Sequence, residues 1–278
     1  MTFLSSINIL QRIFEGLEED DLKEIKDQFS PSKSEINTLE LAEVVLNLDN
    51  EGRRKFTEII KIDKKELRRI AEDSSKILMD DKRKKSENDK LPILFDSLDF
   101  GRTRPANIDL RLGDEYFVSR EKHPKRLEET GGYVVIEPGD FAILITYEYM
   151  YVPDDLVGFI NLRNKYKKSG LINISGFHVD PGYFGKLLFS VYNAGPGKVV
   201  LKHKEPVFMI MYDKLKDPVL KGYGEGYENI TGDVISGLIG HSVSPVRLKA
   251  RIDSLEMQLR ILMAIGIAVV VARIAKVI

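Results

Sequence analysis

Apolar positions follow two different rhythms along this chain. Over residues 1–80 they recur every three or four positions: Ile7, Leu10, Ile13, Phe14 and Leu17, then Leu22, Ile25 and Phe29. That spacing lines them up on one face of a helix. Pro31 interrupts the pattern, Leu39 to Leu48 predicts a third helix, and Arg53 to Ile60 predicts a fourth with Asp49 or Asn50 as its cap. A fifth is predicted over Lys65 to Leu78, with Leu67, Ile70, Ala71, Ile77 and Leu78 on its apolar face. Residues 81–90 are almost all charged and read as a solvated linker; the basic cluster Lys82-Arg83-Lys84-Lys85 has acidic residues on both sides.

From Leu91 to residue 220 the rhythm shortens. β-rich runs follow at Ile108–Leu112, Glu115–Val118, Tyr133–Ile136, Phe141–Thr146, Val157–Asn161, Leu171–Ile174, Leu187–Tyr192, Lys198–Leu201 and Val207–Tyr212. Pro138-Gly139-Asp140, Pro181-Gly182 and Gly195-Pro196-Gly197 punctuate them. Many short strands between turn signals indicate an all-β barrel of jelly-roll type, not alternating βαβ units. No Gly-rich phosphate loop of the nucleotide-hydrolase kind is present. Residues 221–245 are Gly-rich and polar, and read as a flexible tail. The expected class is therefore α+β and multidomain: an N-terminal helical domain, a barrel and a long C-terminal helix.

That last helix occupies residues 246–278. Leu248, Ile252, Leu255, Leu259, Leu262 and Val269 follow alternating spacing of four and three until Gly266 and Arg273 weaken it, which predicts a self-associating coiled coil. Ile261 to Ala272 carries no charge, and spans about 18 Å as a helix. Extension to Ile278 gives about 27 Å, close to the hydrocarbon thickness of a bilayer, with Arg273 and Lys276 placed to snorkel. A membrane anchor through residues 261–278 is expected, with a buried oligomer helix as the alternative.

Charge and composition narrow the chemistry. The 278 residues hold 42 Lys and Arg against 43 Asp and Glu, so no global field favours nucleic acid. The absence of cysteine excludes disulfides, thiol nucleophiles and thiolate metal sites, and fits a cytoplasmic chain. The N-terminus shows no basic segment followed by a long apolar run, so no signal peptide is expected. The four histidines are far apart in sequence, which argues against a multi-His zinc site. The stretch that concentrates chemistry is Gly158 to Gly195. There Asp180 precedes the Pro181-Gly182 turn signal and Tyr183 follows it. A carboxylate held on a turn between strands can polarise a water or hold a sugar hydroxyl; it can also simply cap the turn.

Two motifs carry a family resemblance. Pro105-Ala106-Asn107-Ile108-Asp109-Leu110-Arg111-Leu112-Gly113-Asp114 closely resembles the first motif of dCTP deaminases. His178 to Gly185 resembles their third motif, which trimeric dUTPases share in variant form, and Tyr192-Asn193-Ala194-Gly195 continues the match. Arg163 to Leu171 occupies the place of the serine-rich second motif, and Gly226 to Gly232 is weakly similar to the C-terminal segment that closes over the nucleotide. The resemblance covers roughly residues 91–235. It implies a dUTPase-type β-barrel and a homotrimer, with sites at subunit interfaces for a deoxynucleoside triphosphate carrying Mg2+ on its phosphates.

Departures from the family pattern shape the expected function. Ser190 stands where the deaminase glutamate is expected, and serine without a partner is no general acid–base near neutral pH. Leu162-Arg163-Asn164-Lys165 replaces Gly-Arg-Ser-Ser, so hydroxyls give way to cations. The resemblance aligns Asp180 with the carboxylate by which dUTPases activate water, and Tyr183 with the aromatic residue beside the sugar. The expected protein is a catalytically degenerate deoxynucleotide binder, a sensor or membrane-linked effector. Asp180 and Tyr183 would contact sugar and base, Arg163, Lys165 and Lys168 the phosphates, and Asp109 and Arg111 would support the site. The alternatives are an active dUTP diphosphatase using Asp180, a dCTP deaminase, and a structural trimeric scaffold.

Overall fold

The computed structural model describes residues 4–14, 17, 19–30, 37–59, 65, 68–69, 94–95, 103–130, 132–217, 219, 224–236 and 245–275. The charged linker of residues 81–90, most of the fifth predicted helix and residues 276–278 lie outside these.

Four helices form as the apolar spacing requires: α1 (Ser6–Phe14), α2 (Glu19–Phe29), α3 (Thr38–Leu46) and α4 (Asn50–Ile59). Asn37 caps α3 by accepting from the Glu40 amide at 2.9 Å, and Asp49 caps the next helix by accepting from the Gly52 amide at 2.8 Å. Ile9, Leu10, Ile13, Phe14, Ile25, Leu41, Ala42, Val45 and Phe56 are buried between them. Phe56 packs edge-on against both Phe14 and Phe29, at 5.6 and 5.9 Å between ring centroids.

This helical layer is joined to the β-domain by a buried fork. Arg12 Nη1 and Nη2 donate to the two oxygens of the Asp155 carboxylate, at 2.9 and 2.8 Å. The Leu4 amide adds a bond to the Tyr212 carbonyl at 2.9 Å.

The β-domain contains β1 (Leu94–Phe95), β2 (Thr103–Arg104), β3 (Asn107–Val118), β4 (Lys125–Arg126), β5 (Tyr133–Ile136), β6 (Phe141–Thr146), β7 (Met150–Tyr151) and β8 (Leu156–Leu162). A short helix α5 (Asn164–Lys168) follows, then β9 (Leu171–Asn173), β10 (His178–Val179), β11 (Tyr183–Gly185), β12 (Leu188–Asn193), β13 (Val199–Lys202), β14 (Pro206–Lys214) and β15 (Gly224–Glu225). Nine strands form one curled antiparallel sheet along β10-β8-β14-β3-β6-β12-β9, with β2 and β4 also paired to β3. A second sheet runs β1-β7-β11-β15, and β13 pairs with β5. Alternation is clean: β8 and β12 bury every second residue, and Phe189 stacks on Phe208 at 4.0 Å in the core.

Two elements differ from the sequence expectation. Ile108–Leu112 and Glu115–Val118, read as separate strands, are one strand of 12 residues. β3 pairs with β14 in its first half and chiefly with β6 and β4 in its second, with a register shift between Leu112 and Tyr116. Residues 224–236, read as part of a flexible tail, fold onto the barrel through β15 and the helical turn α6 (Gly232–Ile235), with Ile230 and Ile235 buried. Those two isoleucines pack with Phe117, Ile143 and Ile145.

The long helix α7 (Pro245–Ala275) is 31 residues. Its described side chains, Leu248 to Ala268, are all exposed, including the seam residues Leu248, Ile252, Leu255, Leu259 and Leu262. Among the described residues no helix is long and apolar enough to cross a membrane. The anchor expected at residues 261–278 runs beyond them.

Candidate functional site

The Asp180–Tyr183 turn is built as the Pro-Gly signal predicts. Gly182 has φ of +78°, where a side chain would be strained, and the Tyr183 amide closes the turn on the Asp180 carbonyl at 3.2 Å. Gly182 N–H donates to the Val152 carbonyl at 2.7 Å, and Val152 N–H donates to the Tyr183 carbonyl at 2.9 Å. The turn is therefore tied to the chain on both sides.

Beside it lies a cavity of about 290 Å³. Its polar lining comes from Ser175, His178, Asp180, Tyr183, Ser190 and Tyr227, set among apolar residues such as Ile143, Ile160 and Leu188. Asp180 and His178 are both half-exposed, with 3.5 Å between His178 Nε2 and Asp180 Oδ1. Tyr183 is buried, and its hydroxyl donates to the Lys186 carbonyl. Ser190 reaches the same cavity from β12, so the position where a deaminase glutamate was expected does face the site.

One wall of the cavity is a strap formed by residues 224–236. β15 runs parallel to β11, pairing Tyr183 with Gly224 and Phe184 with Glu225. The Gly226 amide donates to the Phe184 carbonyl at 2.6 Å, the Lys186 amide to the Tyr227 carbonyl at 2.8 Å, and the Tyr227 amide to the Tyr183 hydroxyl at 3.4 Å. Further along, the Ile230 amide donates to Glu115 Oε2 at 2.9 Å. Tyr227 and Val234 complete the lining. Sequence reasoning assigned neither residue; the available signal was the Gly-Tyr-Glu-Asn-Ile-Thr-Gly run that resembles the family's closing segment.

The cations expected at phosphate are elsewhere on the protomer. Arg163 lies four residues beyond Phe159, the Cα partner of His178, which is about 13 Å along the strand. Its Nε pairs with the buried Asp109 at 3.2 Å. Lys165 pairs with Glu205 at 2.9 Å, and Lys168 is exposed on α5. Arg163, Asp109, Lys165 and Lys168 therefore share one region, on and beside the strand end that leads into α5. Arg111 is engaged differently: its Nε and its amide donate to the fully buried Glu148, at 2.6 and 2.9 Å, and its guanidinium sits 4.6 Å from the Tyr147 ring centroid. Burial pushes the Glu148 carboxyl above its ordinary range, against the pull of the Arg111 charge.

Among the described residues no three His, Asp or Glu side chains converge as a metal cage. Among these residues the protein's own donors build no magnesium site.

Residues 77–215 match the family model described as dCTP deaminase-like. This chain belongs to the dCTP deaminase-like family. Within the curated relatives, the dCTP deaminase of Pyrococcus horikoshii is 34% identical over 144 residues, covering 52% of this chain and 90% of the relative. The dUMP-forming dCTP deaminase of Methanothermobacter thermautotrophicus is 29% identical over 137 residues, covering 44% and 70% respectively. Among solved structures, the dUTPase of Staphylococcus bacteriophage 80alpha with dUPNHPP aligns at 16% identity and a TM-score of 0.33, over 50% of this chain and 92% of that one. The family match covers β1 to β14; helices α1–α4, the strap of β15 and α6, and α7 lie outside it.

Proposed function

We propose that this protein binds a deoxynucleoside triphosphate without turning it over, and serves as a nucleotide sensor or effector. The observation that carries the reading is Ser190 in the wall of the cavity that Asp180 and Tyr183 also line. A hydroxyl there can hydrogen-bond a base, but it cannot shuttle the protons that deamination of cytosine requires near neutral pH.

In this reading the site is shared between copies of the chain. Asp180 and Tyr183 of one copy hold sugar and base, and Arg163, Lys165 and Lys168 of another hold the phosphates, with magnesium arriving on the ligand. The separation of the two groups within one protomer supports such an arrangement. Asp109 positions the Arg163 guanidinium. A homotrimer, as the family resemblance implies, closes the arrangement, and the exposed seam of α7 gives three copies a surface on which to associate.

Thermal unfolding with dUTP and dCTP, each with magnesium, tests the binding. One of the two should raise the melting temperature, and Asp180→Ala should abolish the rise. No rise with either nucleotide would leave the structural scaffold as the better reading. A second reading, dUTP diphosphatase, is favoured by the Asp180 carboxylate beside His178, which could accept a proton from water.

A further inference from the structure

Arg68 lies outside the family match yet touches the wall of the cavity. Its Nη2 is 3.5 Å from Glu228 Oε1, and its guanidinium carbon is 5.9 Å from the centroid of the Phe184 ring. These two partners stand on opposite sides of one seam. Phe184 belongs to β11, immediately after the cavity-lining Tyr183; Glu228 belongs to the strap, immediately after the cavity-lining Tyr227. Arg68 thus spans the line along which the strap is zipped onto the barrel.

That line is short. β15 has two residues, and among the described residues a single bridge, between Lys186 and Tyr227, extends the pairing beyond it. Short parallel pairing is weak by itself. The strap is therefore a segment for which one added contact shifts the balance between seated and lifted. Its far end is better anchored, because Ile230 and Ile235 are buried and the Ile230 amide bonds Glu115. Lifting would pivot about that anchor and move Tyr227 away from Tyr183, opening the cavity.

We propose that Arg68 is a clamp by which the N-terminal part of the chain holds the strap shut over the cavity, so that the position of this part governs entry of ligand. The proposal rests on the cavity being the ligand site, as above. The clamp is exposed on both sides, so its effect is modest: an ion pair of this kind shifts an equilibrium by about two- to five-fold. A contact of that size suits a gate that must also open.

Hydrogen exchange on the full chain without ligand tests the clamp directly. Peptides covering residues 224–231 should exchange two- to five-fold faster in Arg68→Ala than in the unaltered protein. Glu228→Arg should behave like Arg68→Ala, and the Arg68→Glu, Glu228→Arg double variant should return exchange towards the original rate. Unchanged exchange in Arg68→Ala, or no restoration in the double variant, would overturn the clamp. A second arm adds dUTP or dCTP and follows the rate of binding, expected to rise by a similar factor in Arg68→Ala; equal rates would overturn control of entry. If neither nucleotide binds, the ligand reading fails, while the ligand-free exchange still decides whether Arg68 holds the strap.

Discussion

Gly226 sits close against the hydroxyl end of Tyr183: a Cβ at that position would come within 2.2 Å of Tyr183 Cζ. The strap can seat only because this residue has no side chain, and the ring it seats on lines the cavity. Gly226→Ala should therefore lift the strap or displace the tyrosine. The expected result is a loss of about 1–3 kcal/mol in chemical denaturation, together with faster exchange across residues 224–231.

The Arg12–Asp155 fork joins the helical layer to the barrel with both side chains largely removed from water. Removing one partner strands the other charge. Arg12→Ala is expected to cost about 3–5 kcal/mol, measured by urea unfolding. Arg12→Met with Asp155→Leu should recover much of that loss, since neither charge then remains.

Tyr212 is fully buried, its hydroxyl has no hydrogen-bond partner among the described residues, and burial pushes its ionisation far above the ordinary tyrosine range. An unsatisfied buried hydroxyl destabilises the folded state by about 1–3 kcal/mol. Tyr212→Phe should accordingly be neutral or stabilising in the same unfolding measurement, where most core substitutions destabilise.

His203 offers a pH signature. Its Nε2 is buried without a hydrogen-bond partner among the described residues, and burial, reinforced by the Lys204 charge, lowers its pKa from 6.5. The unfolded chain then binds the proton more readily than the folded one. The stability this group contributes is present above pH 6.5 and is lost as pH falls through the folded value. Stability should drop as pH falls below 6.5, and His203→Gln should flatten that part of the profile.

The sequence made much of the architecture legible where one local rule decides the outcome. Helical spacing located α1 to α4, and Asp49 was one of two named caps. Short β-rich runs between turn signals located most barrel strands, and the Pro-Gly signal located the turn that carries Asp180. Ser190 was placed at the site by the strand that precedes Tyr192-Asn193. What stayed hidden depends on partners distant in the chain. Arg163 pairs with Asp109 and Lys165 with Glu205, and each choice follows from how β8, β14 and β3 register. Arg111 likewise finds Glu148 across strands. The strap was hidden because its glycines read as mobility, whereas Gly226 supplies the space for a close approach to Tyr183.

Product analysis separates a nucleotide binder from an enzyme. The full chain is incubated with magnesium and dUTP or dCTP, and the nucleotides are separated by ion-exchange chromatography. Recovery of both nucleotides unchanged, under conditions where one of them raises the melting temperature, is the predicted result. Appearance of dUMP from dUTP, or of any uracil nucleotide from dCTP, would contradict it and make the protein an enzyme.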